Sequence, residues 1–318
     1  MLSSTIYFFH RFTNNESKTK KEMAHHVVSS NFFSMNEIVI ANKIRKLNTK
    51  PSFRFYIFDK AERLKIGEIG SYNLDANIIK SNAQKILLTF VKRNLVYFDS
   101  YLLSLSSFKI YIYLLIEGYR YLLASINLLV SNDLIHNGLD LDSIVALNGI
   151  PILTNFIFTV DLQKNDFNWQ EYFLQRKLTK FCPVEFYLLQ YQLTNNQVLS
   201  LYNIETIIKQ FVKDNNLVTD LSLSYFAKYA NKTFDQNLAE ALKYCKTWDN
   251  YALSMVYLDI LQNMLDKRDN KFISNFMKLL VDNICLDPSK RSLPDKCLHS
   301  FEDMLQTISI SDFRELLV

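Results

Sequence analysis

The stretch IHNGLDLDSIV, residues 135–145, decides how this chain is interpreted. It is a short polar loop that carries one histidine and two aspartates and is enclosed by apolar residues. The residues before it are apolar at three- and four-residue steps, which predicts one long helix with an apolar stripe. The stripe consists of Leu115, Gly118, Leu122, Ile126 and Leu129. A second short stretch, ILTNFI at 152–157, follows a Gly-Ile-Pro turn.

The first ninety residues mix short strand-type runs with polar breaks. Residues 53–58 are aromatic and partly alternating, which predicts a strand. We expect residues 59–62 to form a turn and residues 63–69 to form the returning strand. Residues 86–91 predict a further strand.

Helical patterns dominate from about residue 97. Residues 248–265 are apolar on nearly every side, as in a helix buried at the centre of a domain. Residues 271–283 and 294–306 predict two amphipathic helices. A shorter helix is expected at 35–44, with Asn36 as its amino-terminal cap.

The composition limits the class of protein. The chain has 318 residues, of which 49% are hydrophobic, so it can bury a large core in one domain or two lobes. A net charge of +4 with scattered basic residues does not indicate a nucleic-acid platform. The four cysteines have no metal-site or disulfide-framework spacing. Residues 110–130 contain Glu117 and Arg120, which argues against a membrane span, and the first residues do not resemble a signal peptide.

Several segments resemble, in order, motifs of the protein kinase family. Residues 135–145 resemble the catalytic loop H-R-D-L-x-x-x-N, and residues 152–157 lie where the family has D-F-G. CPVE at 182–185 is similar to A-P-E. WDNYALS at 248–254 and LDPSKR at 286–291 resemble the later D-x-W-S and D-P-x-x-R segments.

The resemblance implies an α+β fold with two lobes. A reduced, β-containing amino-terminal lobe would span residues 1–91, and a helical carboxy-terminal lobe would span residues 92–318. Glu37 would be the glutamate of the amino-terminal lobe's helix.

The residues that phosphoryl transfer needs are missing from the matched positions. Gly138 stands where the family has its catalytic aspartate, and the loss of one general base costs roughly 10²–10⁴-fold in rate. Ser143 and Asn155 stand at the two magnesium-ligand positions, and Mg²⁺ prefers carboxylate oxygens. No G-x-G-x-x-G occurs in the chain, and the strand expected before Glu37, near residues 26–30, contains no lysine.

Two interpretations would restore catalysis or nucleotide binding. Asp140 and Asp142 are carboxylates inside the loop and could replace a missing group, but solvated loop acids or turn formers are the favoured interpretation. A metal-independent nucleotide contact through the backbone of the inter-lobe strand, at Thr89, Phe90 and Val91, is the second. Neither a cofactor nor a metal ion is expected.

The residues that the resemblance retains are structural. They are His136 under the loop, Phe156, an ion pair between Glu185 and Arg291, and Asp249 as an acceptor of hydrogen bonds from the loop backbone. The sequence therefore predicts a pseudokinase that acts as a scaffold or allosteric partner of a protein that it does not identify.

The alternatives are an active serine/threonine kinase with relocated acids and a structural component of a virion, since the divergent motifs are similar to kinase-like proteins of large DNA viruses. The expected location is the cytoplasm, or the virion for a viral protein. The aromatic segment 157–180 predicts either a docking surface or side chains packed onto the helical lobe.

Overall fold

The computed structural model describes residues 22–47, 54–65, 83–215, 223–262 and 270–307. Over these residues the chain has an α+β fold of helices and small antiparallel sheets. The strands are β1 (Met23–Ser29), β2 (Lys60–Arg63), β3 (Lys85–Val91), β4 (Val96–Tyr97), β5 (Leu134–Ile135), β6 (Ile144–Leu147), β7 (Ile150–Leu153) and β8 (Val160–Asp161). The helices are α1 (Phe32–Arg45), α2 (Phe98–Leu103), α3 (Phe108–Val130), α4 (Trp169–Gln175), α5 (Val184–Thr194), α6 (Leu201–Asp214), α7 (Leu223–Phe226), α8 (Phe234–Leu242), α9 (Trp248–Leu261), α10 (Lys271–Asn283) and α11 (Pro294–Thr307).

The largest sheet has the order β1-β3-β2, and both of its pairs are antiparallel. The predicted strand at 86–91 is confirmed as β3, which is the central strand. Ala24 lies opposite Phe90 on the face that is buried against Ala41 of α1. The same apolar cluster includes Val145 of β6, so buried residues on both sides of the predicted boundary at residue 91 pack together.

Two predictions about this sheet are wrong. Residues 60–62 lie in β2 where a turn was predicted, because the strand pairs with β3 from Lys60 opposite Thr89 to Arg63 opposite Ile86. The described part of the aromatic run 53–58 makes only an isolated bridge between Phe55 and Leu153. Of the predicted returning strand at 63–69, residues 66–69 lie outside the described residues.

Helix α1 begins earlier than the sequence predicted. Asn31, not Asn36, is its amino-terminal cap, and its side-chain oxygen accepts a hydrogen bond from the Ser34 N–H at 2.9 Å. Ser34 Oγ in turn accepts from the Asn31 N–H, which completes a reciprocal cap. Asn36 is buried inside the helix, and its side-chain amide donates to the Thr159 carbonyl at 2.7 Å.

The helical core is the part that the apolar patterns predicted well. Every residue of the predicted stripe lies in α3 and is buried. Helix α9 is buried on all sides, as expected, and the part of that prediction beyond residue 262 lies outside the described residues. The predicted helix at 271–283 is confirmed as α10, and that at 294–306 as α11, which extends one residue further.

Two smaller sheets hold the loop between them. Strand β5, just before the loop, pairs with β8, and β6, just after it, pairs with β7 and β4. The loop's two ends are therefore fixed by different sheets. In the described residues, no helix combines the length and the apolar character that crossing a bilayer requires.

The turns of this chain use asparagine where many proteins use glycine. Among the described residues, positive φ angles occur at one glycine, Gly149, and at six asparagines or aspartates. These six are Asp133, Asn137, Asn148, Asn155, Asn196 and Asn231. Asparagine and aspartate tolerate the left-handed region better than other residues with a side chain.

Candidate functional site

Hydrogen bonds connect the loop at 136–143 to the first turn of α9. Asp249 is fully buried, and its two oxygens accept hydrogen bonds from the N–H groups of His136 and Asn137, both at 2.6 Å. Burial raises the pKa of Asp249 to about 6, although the two backbone donors favour the charged form. These are the hydrogen bonds that the sequence resemblance implied for Asp249.

His136 is part of the loop's support. Its ring is completely buried, its Nε2 lies 2.9 Å from the Thr154 carbonyl oxygen, and its Nδ1 accepts from the Gly138 N–H at 3.3 Å. Phe156 packs edge-on against the ring, with centroids 4.8 Å apart. Burial lowers the pKa of His136 to about 4, so the imidazole is neutral at neutral pH and serves as a packed hydrogen-bonding group.

Gly138 lies against an aromatic ring. A Cβ atom at this position would be 3.1 Å from Cδ2 of Phe158 and 3.4 Å from its Cβ. An aspartate there would require the ring to move. Phe158 therefore occupies space next to the position at which the resemblance would place a proton acceptor.

Asp140 and Ser143 close the loop on each other. Asp140 Oδ1 accepts from the Ser143 N–H at 2.8 Å, while Ser143 Oγ accepts from the Asp140 N–H and donates to its carbonyl, each at 2.8 Å. Ser143 is completely buried. The carboxylate of Asp140 thus caps the short 3₁₀ helix at 141–143, and Asp142 in that helix is exposed to solvent.

Three carboxylates collect beside the loop. Burial raises the pKa of Tyr97, and the nearby carboxylates of Asp142, Asp140 and Asp99 raise it further. In the described part of the chain none of these three aspartates forms an ion pair. The charged groups that act on Tyr97 are therefore negative.

Asn155 has a left-handed backbone with φ of 61° and ψ of 65°. Its side-chain oxygen Oδ1 is buried and has no hydrogen-bond partner among the described residues. The next residue, Phe156, is buried between His136 and Phe55. Asn155 thus has an amide oxygen at the position where the resemblance would place a magnesium-binding carboxylate.

Helix α1 is fastened to the segment that follows Asn155. Asn36 binds the carbonyl of Thr159, and Lys43 forms an ion pair with the buried Asp161 of β8. Glu37, the next residue after Asn36, is also buried, and its Oε2 has no hydrogen-bond partner in the described region. Burial raises the pKa of Glu37 to about 7.

Arg176 is a buried residue that sequence reasoning did not single out. Its guanidinium donates to the Asn137 carbonyl and the Tyr172 hydroxyl, and it lies 3.4 Å from Cys182 Sγ. The rings of Phe158 and Tyr172 lie within 5.4 Å of the guanidinium carbon. In the sequence, the only sign of the contact between Tyr172 and Arg176 is their four-residue spacing. The contact fastens the segment 169–182 onto the loop.

The aromatic residues of the segment 157–180 pack inward. Tyr172 and Phe173 are completely buried, Phe167 is nearly so, and Trp169 stacks on Phe173 with centroids 6.1 Å apart. Of the two interpretations offered by the sequence, packing onto the helical core accounts for these side chains.

Glu185 and Arg291 lie together in the interior. Two hydrogen bonds join the guanidinium to the carboxylate, at 2.8 and 3.0 Å. The ion pair that the resemblance implied is present, and it connects the start of α5 to the segment before α11.

Thr89, Phe90 and Val91 lie at the centre of the β1-β3-β2 sheet. The Thr89 carbonyl accepts from the Asp59 N–H at 2.7 Å, the Val91 N–H donates to Asp59 Oδ2 at 2.9 Å, and the Val91 carbonyl accepts from the Tyr56 hydroxyl at 3.0 Å. On the other side β3 pairs with β1. The backbone groups proposed for a nucleotide contact are thus engaged in the sheet.

Comparison with known proteins adds no relative. The sequence matches no protein-family model, and no curated protein resembles it significantly. Within the described residues, no three histidine, cysteine, aspartate or glutamate side chains are grouped so that they could hold a metal ion.

Proposed function

We propose that this chain is a protein kinase-like protein without phosphoryl-transfer activity, and that it works as a scaffold or allosteric partner by binding another protein. The observation that carries the proposal is the state of the loop at 136–143. Its supporting contacts are formed, from Asp249 to the backbone and from His136 to Thr154. The groups that chemistry would require are absent or bound within the loop.

Asp140 is the strongest candidate for a relocated acid, and its hydrogen bonds argue against that role. A general base must reach the proton that it removes, at about 2.6–3.2 Å. One oxygen of Asp140 is instead committed to the Ser143 N–H. An active kinase with relocated acids therefore gains no support, and no contact favours a structural virion component.

The charge beside the loop supports the same proposal. A nucleoside triphosphate is strongly anionic and is usually held by lysine, a glycine-rich backbone cradle and Mg²⁺. Here the charged groups that raise the pKa of Tyr97 are the carboxylates of Asp142, Asp140 and Asp99. Without the cation that phosphate needs, these carboxylates would repel it.

Thermal denaturation in the presence of ATP tests whether the chain binds nucleotide. A ligand at about 100 times its Kd stabilises the folded state by about 2.7 kcal/mol, which is readily measured. We expect no change in Tm with ATP alone, with ATP and Mg²⁺, or with ATP and Mn²⁺. Transfer of labelled phosphate to the chain itself and to a generic substrate protein is expected to equal the rate without protein.

The matched variants are Asp140→Asn and Asp142→Asn, which remove the two candidate acids separately. A metal-dependent rise in Tm, together with phosphate transfer that either variant abolishes, would show that the chain is an active enzyme. Transfer that both variants retain would point to a contaminating kinase.

A further inference from the structure

A small hollow lies between α2, the 3₁₀ helix at 141–143 and α9. Its volume is about 140 Å³. Its apolar lining includes Leu102 and Ile260, which are buried, and Leu141. An apolar cavity of roughly 150 Å³ holds a benzene-sized group, so one large apolar side chain fits this space.

Exposed apolar residues surround the hollow. Leu103 lines the hollow, and it is 65% exposed to solvent. Phe108 is 39% exposed and stacks on Tyr111, another lining residue, with the rings 7° from parallel. The exposed side chain of Leu103 therefore adds apolar surface at the edge of the hollow.

The charges around the hollow are mainly negative. Asp99 lines it, and the exposed Asp142 directly follows the lining residue Leu141. The third acid, Asp259, is neutralised by Lys180, whose Nζ lies 2.6 Å from it. Lys109 lies two residues before Tyr111 on α3, a rotation of about 200° around the helix, which directs it away from the hollow.

We propose that this hollow is the docking site for a partner protein, and that the partner inserts one large apolar side chain flanked by arginine or lysine residues. This inference rests on the proposed function as a binding protein and adds the chemistry of the partner. The apolar side chain would supply the buried contact, while its basic neighbours would pair with Asp99 and Asp142. Such rim charges select the partner and accelerate its association.

Fluorescence anisotropy with labelled 12-residue peptides tests the proposal on the full chain. The probe has a central Phe and three Arg in a Gly/Ser background. One comparison peptide replaces Phe with Ala, and another replaces the three Arg with Glu. We expect binding of the Phe/Arg peptide, about tenfold weaker binding of the Ala peptide, and no binding of the Glu peptide.

A charge swap separates recognition from folding. The double variant Asp99→Lys/Asp142→Lys is expected to bind the Phe/Arg peptide at least about tenfold more weakly and to gain binding of the Phe/Glu peptide. A misfolded protein would lose binding of the Phe/Arg peptide without gaining binding of the Phe/Glu peptide. Asp303→Lys, at an exposed site on α11, is the control and should behave as the unaltered chain.

An apolar variant tests the hollow itself. Leu103→Ser should weaken every peptide that contains Phe, whereas Leu201→Ser, which removes a similarly exposed leucine from α6, should weaken none. The proposal is overturned if the Ala peptide binds as well as the Phe peptide, if no peptide binds, or if the charge swap leaves the preference unchanged.

Sedimentation velocity tests whether a second copy of this chain occupies the hollow instead. A dimer that Leu103→Ser dissociates would assign the hollow to a second copy of this chain and would overturn the partner proposal. Peptide binding by a chain that also transfers phosphate would contradict the proposed function and leave the docking site standing.

Discussion

Glu185 and Arg291 lie 106 positions apart in the chain and form a two-pronged ion pair whose side chains are both fully buried. Arg291 also donates from Nε to the Cys285 carbonyl at 2.7 Å and lies over the ring of Tyr251. The pair therefore joins α5, α9 and the segment before α11 at a single point.

Glu185→Ala is expected to lower the free energy of unfolding by about 3–5 kcal/mol, because Arg291 would be left buried without its counter-charge. Urea denaturation measures the change. The control is Glu205→Ala, which removes an exposed pair with Lys209 on α6 and should cost less than about 1 kcal/mol. Equal effects for the two variants would contradict the structural role of the buried pair.

Asp140→Ala should lower the free energy of unfolding by about 1 kcal/mol, the usual effect of losing a capping side chain. Asp142→Ala should change it by less than about 0.5 kcal/mol, since that side chain is exposed. The two aspartates are two residues apart, so each variant is the other's control. An equal loss would mean that the hydrogen bond from Ser143 to Asp140 contributes nothing.

Glu37 should make stability depend on pH. Its folded-state pKa of about 7 is above the ordinary value of 4.5, so the folded protein binds this proton more tightly. Stability from this group is complete below pH 4.5 and is lost as pH rises to about 7. Glu37→Gln should therefore stabilise the protein by roughly 3 kcal/mol at pH 8 and have little effect at pH 4.5.

Denaturation of both proteins across this pH range gives the difference directly. His136 and Asp249 also titrate there, but they are common to both proteins and cancel in the difference. Glu62→Gln, at an exposed position on β2, is the control. A constant difference between Glu37→Gln and the unaltered protein would rule out a raised pKa for the buried Glu37 carboxyl.

Gly118→Ala should destabilise the protein by about 1–3 kcal/mol through overpacking. A Cβ atom there would be 2.7 Å from Cζ of Phe98 and 3.1 Å from the Tyr257 hydroxyl, so α2 and α9 both approach α3 at this point. The double variant Gly118→Ala/Phe98→Leu should recover part of the loss in thermal denaturation. A stabilising effect of Gly118→Ala would show that the helices are less closely packed here.

Helices α3, α9, α10 and α11 were predictable because their signal is local. The apolar stripe of α3 and the all-round apolar character of α9 follow from side-chain periodicity alone. Strand β2 was missed because KAER, at 60–63, has no apolar alternation and becomes a strand only by pairing with β3. The start of α1 was misplaced because Asn31 and Asn36 are the same residue type, and only Asn31 has Ser34 three residues later to complete the cap.

The contacts of the candidate site were also predictable only in part. Contacts of Asp249 and of the Glu185–Arg291 pair were expected because recognisable short motifs carry them. Arg176 was not foreseen, since its acceptors on Asn137 and Cys182 come together only in the folded chain. The position of Phe158 against Gly138 also depends on tertiary packing.

The six left-handed asparagines and aspartates change how a low glycine content should be understood. With only five glycines, the chain could be mistaken for one with few sharp reversals. Amide and carboxylate side chains make those reversals here, so a count of glycine underestimates the bends in the backbone. They cannot substitute at a phosphate cradle, where a bare backbone must approach the ligand closely. A chain of this composition can therefore make sharp backbone reversals without the glycines from which phosphate-binding loops are built.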